Sequence, residues 1–230
     1  MSTYCPTCGN ENSSDTETCN YCETLLATRG TPHGILFPGS IINGHYKINE
    51  LIKVGGMGAV YVGYDLDRDK VIAIKQLFLS SGEEEDRFLV SRFEREATLL
   101  SSLDHPNLPK VSDYFNDYDN YFMIMDYIEG HDLECLLKEQ GNPGLPEAEV
   151  IDWALELCSV LKYLHNHTPP ILYRDIKPSN IVIRHMDKRA ILVDFGLART
   201  IENGMSAGKT AIGTVGYSPP EQYEGRQKPQ

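Results

Sequence analysis

The chain has 230 residues, with 21 Lys and Arg against 33 Asp and Glu, and so a formal net charge of -12. That charge argues against a general binder of nucleic-acid backbones. Hydrophobic residues make up 41% of the chain, enough for a sizeable core, and no run reaches the roughly 18 apolar residues of a membrane span. Met1 to Asn10 has neither the basic stretch nor the apolar run of a secretory signal, so a soluble, cytoplasmic setting is expected.

Four of the six cysteines fall early, as Cys5-Pro-Thr-Cys8 and Cys19-Asn-Tyr-Cys22. Two such pairs present four thiolates to one ion, the tetrahedral set that suits structural zinc. Paired disulfides conflict with a reducing compartment, and a redox pair lacks its strand and helix context. Iron in the same four-sulfur geometry stays open as an alternative. Residues 1–26 hold few large apolar side chains beyond Tyr4, Tyr21, Leu25 and Leu26, so a metal staple is needed to order them. They are read as a zinc ribbon with a candidate protein partner. Nucleic acid is disfavoured as its ligand, because residues 1–30 carry Arg29 against Glu11, Asp15, Glu17 and Glu23. Residues 27–43 have the Gly, Pro, Ser and Thr density of a linker, with an apolar patch at Ile35 to Phe37 expected to dock on the next domain.

From Tyr46 the pattern is β-like. Tyr46 to Ile52 alternates, Ala59 to Tyr64 resumes after a glycine cluster, and Val71 to Leu77 is a third run. Glu83 to Leu103 places Phe88, Phe93, Ala97 and Leu100 at helical spacings. Short strands are expected around Lys110 to Phe115 and Tyr121 to Met125. Pro146 then opens a long helix through Trp153, Leu157, Val160, Leu161 and Leu164, with acidic residues in its first turn.

Gly55-Gly56-Met57-Gly58 sits at the turn between the first two strands, where glycine lets backbone amides approach phosphate oxygens. Alone it reads as a tight turn, and Lys75 at the end of Val71-Ile72-Ala73-Ile74-Lys75 reads alone as a surface lysine. The decisive stretch is Tyr173-Arg174-Asp175-Ile176-Lys177-Pro178-Ser179-Asn180, followed by Asp194-Phe195-Gly196 after an apolar run, and then Gly213-Thr214-Val215-Gly216-Tyr217-Ser218-Pro219-Pro220-Glu221. In this order the motifs resemble those of eukaryotic-like Ser/Thr protein kinases, in the form familiar from bacteria. The resemblance covers residues 44–230 and implies an α+β, two-lobed fold: a five-stranded antiparallel sheet plus a helix, then an incomplete helical lobe.

What the resemblance implies for the site follows residue by residue. Ile52, Gly55, Gly56, Gly58, Val60 and Ala73 are matched to the nucleotide-covering positions, and Lys75 to the lysine that holds the α- and β-phosphates of ATP. Glu96 is its partner, with Glu94 a half-turn alternative. Met125 matches the back of the adenine pocket, and the backbone of Asp126 to Ile128 the segment that hydrogen-bonds the base. Asp175 orients the acceptor hydroxyl and takes its proton, Lys177 balances γ-phosphate charge, and Asn180 and Asp194 ligate Mg2+. Lys177 and Thr214 are the Ser/Thr-kinase form, so the implied substrates are Ser and Thr hydroxyls of proteins. Arg174 matches the arginine that pairs with an activation-loop phosphate, for which Thr200, Ser206 and Thr210 are candidates.

Three positions depart from the pattern. Lys53 stands where the first glycine is usual, Tyr173 stands where histidine is usual and is read as a packing variant, and the chain stops nine residues after Glu221. The last departure leads to the expectation of a chain truncated within the large lobe, with apolar surface exposed on the Pro146 to His165 helix. A non-catalytic scaffold or a fragment is therefore the alternative to an active kinase.

Overall fold

A computed structural model of the chain describes residues 2–4, 11–13, 20–21, 34–55, 58–79, 83–117, 120–141, 144–196, 198–200, 214 and 216–218. Cys5, Cys8, Cys19, Cys22, Gly56, Ser206, Thr210, Gly213 and Glu221 lie outside the described residues. The elements, in chain order, are β1 (Ser2–Tyr4), β2 (Glu11–Ser13), β3 (Ile41–Ile42), β4 (Tyr46–Gly55), β5 (Gly58–Asp65), β6 (Lys70–Leu77), α1 (Glu83–Ser101), β7 (Val111–Asp117) and β8 (Asn120–Asp126). There follow β9 (Gly130–Asp132), α2 (Leu133–Gln140), α3 (Glu147–His165), β10 (Ile171–Leu172), β11 (Ile181–Arg184), β12 (Ala190–Leu192) and β13 (Arg199–Thr200). Contacts divide the chain into two compact units, residues 1–94 with 111–127 and residues 95–110 with 128–230.

The first unit is built on an antiparallel sheet in the order β3-β4-β5-β6-β8-β7. Six strands stand where the sequence predicts five, because Ile41–Ile42, inside the segment expected as a linker, pairs with Tyr46 and Lys47. Side chains on a strand alternate between faces and direct cross-strand partners share one. Ala59, Tyr61, Ile72, Ile74, Phe78, Phe122 and Ile124 therefore form one buried layer with Ile42, Tyr46 and Ile48, against which Ile35 and Leu36 pack. That contact is the docking expected of the Ile35 to Phe37 patch, although Phe37 itself is exposed. Separately, β1 and β2 pair antiparallel as a two-stranded sheet.

Helix α1 buries Phe93, Ala97 and Leu100, the stripe expected from its spacing. Phe88 of that series is exposed, five residues before Phe93 and so off the stripe, with the Arg92 guanidinium 5.8 Å from its ring centre.

The second unit holds two small sheets and two helices. Strands β12-β11-β9 form one sheet, and β10 pairs with β13 in the other. Asp132 caps α2, its Oδ1 accepting the Cys135 N–H at 2.8 Å. Helix α3 carries Glu147 and Glu149 in its first turn and Lys162 and His165 in its last, complementing its dipole at both ends. It buries Trp153, Val160 and Leu164, and the Trp153 indole N–H donates to the Lys188 carbonyl at 2.9 Å. Val150, Ile151 and Leu155 are exposed on this helix, as the sequence predicts. No helix among the described residues is long and apolar enough to cross a membrane.

Burial pushes the Tyr46 and Tyr61 phenols up from 10.0 to about 12, with the Asp113 carboxylate adding to the rise at Tyr46. Above pH 10.0 the unfolded chain loses these protons while the native state keeps them. Stability of the first unit is thus complete below pH 10.0 and declines as pH rises toward about 12, read as a falling urea midpoint.

Candidate active site

In the first unit the register puts the candidate nucleotide residues on the sheet face opposite the buried layer. Val60 pairs with Lys75 and Val62 with Ala73 across β5 and β6, while Lys75 pairs with Met123 and Ala73 with Met125 across β6 and β8. The structure brings Val60, Ala73, Lys75 and Met125, all candidates from the sequence, to one face. Met123 was missed, although its place in the alternation of Phe122-Met123-Ile124-Met125 puts it beside Lys75. Ile52 lies at an irregularity of β4 and is exposed, and Gly55 pairs with Gly58 at the end of the β4-β5 hairpin. The Asp126 carboxylate accepts from Lys70 Nζ at 2.7 Å, so this side chain is committed within the sheet.

In the second unit the β11-β12 hairpin sets the geometry. Ile181 pairs with Leu192, and beyond that pair the Val193 N–H donates to the Asn180 carbonyl at 2.9 Å. Asn180, just before β11, and Asp194, just after β12, are therefore held at the same end of the hairpin. The other edge of β12 is fixed by Asn107 and Glu156. Glu156 Oε2 accepts from the Ala190 N–H at 2.7 Å and from Asn107 Nδ2 at 3.0 Å, while the Leu192 N–H donates to the Asn107 carbonyl at 2.9 Å.

Asp175 is buried, and a buried carboxylate is tolerated only with partners. It has three. Asn180 Nδ2 donates to Oδ2 at 2.9 Å, Lys177 Nζ stands 2.8 Å from the same oxygen, and Thr214 Oγ1 donates to Oδ1 at 2.7 Å. Lys177 Nζ also donates to Thr214 Oγ1 at 2.8 Å, closing the ring of contacts. The short turn Pro178–Asn180 returns Asn180 to Asp175, donating also to its backbone carbonyl at 3.0 Å. Arg174 and Asp194 both adopt positive φ, 67° and 65°, a conformation costly for residues other than glycine and concentrated at functional sites. Asp194 is exposed, and its Oδ1 accepts the Gly196 N–H at 3.3 Å.

Tyr173 is buried, packs edge-on against Phe195 with ring centres 5.0 Å apart, and donates its hydroxyl to the Val193 carbonyl. Burial first, then the Asp194 and Asp175 carboxylates, hold its phenol far above the ordinary range, so it stays a neutral donor. On α1, Glu96 is buried, whereas Glu94 is exposed and accepts from the Tyr114 hydroxyl at 3.1 Å. Thr200 is exposed and opposite Ile171 in the β10-β13 pair.

The sequence profile of the protein kinase domain matches residues 46–229. The chain belongs to the protein kinase family. Similar kinases include Serine/threonine-protein kinase PrkC of Bacillus subtilis, 35% identical over 188 residues, covering 81% of this chain and 28% of the relative. Serine/threonine-protein kinase B of Synechocystis sp. is 31% identical over 194 residues, covering 79% and 33%. Serine/threonine-protein kinase PknA of Nostoc sp. is 32% identical over 197 residues, covering 81% and 34%. The chain thus spans about a third of the length of these curated kinases. Among solved structures, "PpkA-294 apo form" superposes with a TM-score of 0.63 at 28% identity, covering 70% of this chain and 62% of that one. The α+β, kinase-like fold read from the sequence is thereby shown.

Within this kinase domain the Tyr173 hydroxyl ties the residue before Arg174 to the residue before Asp194. Tyr173→Phe keeps the packing and removes that tie, so the expected loss is about 1 kcal/mol of unfolding free energy, measured by urea titration. Faster amide exchange around Val193 accompanies it.

Proposed function

We propose that the chain transfers the γ-phosphoryl group of Mg-ATP to Ser and Thr hydroxyls of proteins, itself included. The observation that carries this reading is the closed cluster of Asp175, Lys177, Asn180 and Thr214. The cofactors fit the residues present. Asn180 gives its amide N–H to Asp175 and keeps a carbonyl oxygen, which with the Asp194 carboxylate makes the hard-oxygen set that magnesium takes. Val60, Ala73 and Met125 make an apolar surface with one small residue beside Lys75, a surface suited to a purine and its phosphates.

ATP supplies the phosphoryl group and ADP is the leaving group. Asp175 positions the acceptor hydroxyl and takes its proton as the new oxygen–phosphorus bond forms. Lys177 offsets charge on the transferred group, and Thr214 fixes the Asp175 and Lys177 side chains. Asn180 and Asp194 hold the metal, Lys75 holds the α- and β-phosphates, and Ile52, Gly55, Gly56 and Gly58 belong to the strand ends and loop assigned to covering them. The backbone of Asp126 and Ile128 is assigned to the base. Of the two acids on α1, Glu96 takes the functional assignment, since Glu94 is exposed and bonded to Tyr114.

Phosphate transfer from Mg-ATP to a Ser/Thr-containing protein, compared with Asp175→Asn, tests the reading. The variant is expected to lose at least about a hundredfold in rate, the usual contribution of a positioned base. Equal transfer by the two proteins refutes it. Absence of transfer by a folded wild-type chain favours the scaffold reading, to which the exposed Val150, Ile151 and Leu155 lend their support.

Cys5, Cys8, Cys19 and Cys22 are assigned to one structural zinc ion in a reducing, cytoplasmic setting, on the strength of their spacing. Strands β1 and β2 flank the first pair in sequence. Metal analysis of the purified chain is expected to find about one zinc per chain, lost in Cys8→Ser/Cys22→Ser. A protein is the proposed ligand of this ribbon, consistent with its acidic composition.

A further inference from the structure

The row of side chains that β6 turns toward the buried layer reads Ile72, Ile74 and Gln76, and Phe78, just past the strand, continues it. Gln76 is a polar residue inside an apolar row, only 1% exposed, and burying an amide is costly unless its atoms are bonded. Both ends of the amide have partners. Its Oε1 accepts the hydroxyl of the fully buried Tyr61 at 2.7 Å, and its Nε2 donates to the Gly34 carbonyl at 2.8 Å and to Asn120 Oδ1 at 3.0 Å. Tyr61 Oη in turn accepts the Leu36 N–H at 3.1 Å. Two of these bonds reach the backbone of residues 34–36, which lie outside the matched kinase domain at 46–229.

The same segment is held along its length. The Gly39 N–H donates to the Ile48 carbonyl and the Ile48 N–H to the Ser40 carbonyl, each at 2.8 Å, and Ile41–Ile42 completes the pairing with β4. Ile35, Leu36 and the buried Ile42 pack on the layer beneath. Gly34 sits at φ +114°, where a Cβ would be strained and would stand 3.4 Å from Asn120 Oδ1 and 3.5 Å from Gln76 Nε2. Glycine is thus the residue that lets the chain enter this latch.

Gln76 is the immediate neighbour of Lys75, and the two project from opposite faces of the strand. We propose that residues 34–42 form a latch on the first unit and that Gln76 is a positioning residue, holding the Lys75 segment of β6 in place through its bonds to Gly34 and Tyr61. The inference rests on the phosphate-holding role given to Lys75. When the latch lifts, the Gln76 amide and the Tyr61 hydroxyl each lose a buried partner, and the strand that carries Lys75 loosens.

The test uses the full chain with Gln76→Met, Tyr61→Phe and Ile35→Asp, read by amide exchange and by KM for Mg-ATP against kcat. In Gln76→Met the Leu36 and Gly39 amides are expected to exchange about tenfold faster, the factor for one lost hydrogen bond of ordinary strength. KM for ATP is expected to rise about fivefold with kcat nearly unchanged, because a lysine on the α- and β-phosphates contributes to ground state and transition state alike. Ile35→Asp, which leaves β6 itself intact, is expected to shift KM in the same direction. Tyr61→Phe removes one oxygen and serves if either other variant fails to fold. Faster exchange of Leu36 and Gly39 with KM unchanged overturns the positioning role. A wild-type chain with no phosphate transfer overturns the assignment of Lys75 and that role together, while protection of Leu36 and Gly39 still reports the latch on its own.

Discussion

A β-strand must send successive side chains to opposite faces, and on β6 that constraint separates two incompatible surroundings by one residue. Ile72, Ile74 and Phe78 enter a layer from which water is excluded, whereas Ala73 and Lys75 face the side shared with Val60, Met123 and Met125. A lysine among the first set would be an unpaired buried charge. The register with β5 and β8 fixes this partition, since a slip by one residue would exchange the faces along the whole strand. The placement of Val60, Ala73, Lys75 and Met125 on one face follows from it.

The second unit meets a different demand, the burial of a carboxylate. Asp175 is held by an amide, an ammonium and a hydroxyl drawn from positions 180, 177 and 214. Each partner arrives by a separate local device: a short turn for Asn180, the extended residue before it for Lys177, and a later segment of the chain for Thr214. The cluster joins stretches distant in sequence, and it meets the hairpin of β11 and β12 through the Val193 N–H, which donates to the Asn180 carbonyl. Glu156 and Asn107 brace that hairpin from the side, which links residues with no part in phosphate chemistry to the placement of Asp194.

Much of this was legible in the chain itself. The run from Tyr46 alternates, those from Ala59 and Val71 are apolar over enough residues to declare strands, the long helices show their stripes, and Asp175, Asn180 and Asp194 stand in motifs whose spacing is distinctive. The strands from β9 to β13 were not legible, because elements of two to four residues are too short for a period to show. Residues 34–42 fall within the segment whose composition predicts a linker. Their Gly and Pro content is that of a loop, and the bonds that fix them come from Tyr61, Gln76 and Ile48, all remote in sequence. The apolar patch at Ile35 to Phe37 signals the docking, and Gln76, a polar residue at an inward position, is a second signal easily taken for the polar end of a strand. The choice between Glu94 and Glu96 also required the structure, since both lie on one helix and burial separates them.

The chain contains a single tryptophan, and Trp153 is buried on α3 with its indole N–H bonded to the Lys188 carbonyl in the second unit. The first unit has tyrosines but no tryptophan. Indole fluorescence is therefore a built-in reporter for the second unit alone, and tyrosine absorbance near the ionisation of Tyr46 and Tyr61 is a reporter weighted toward the first. The molecule thus carries an optical label on each unit, so whether the two melt as one cooperative body or as two can be seen without attaching a probe.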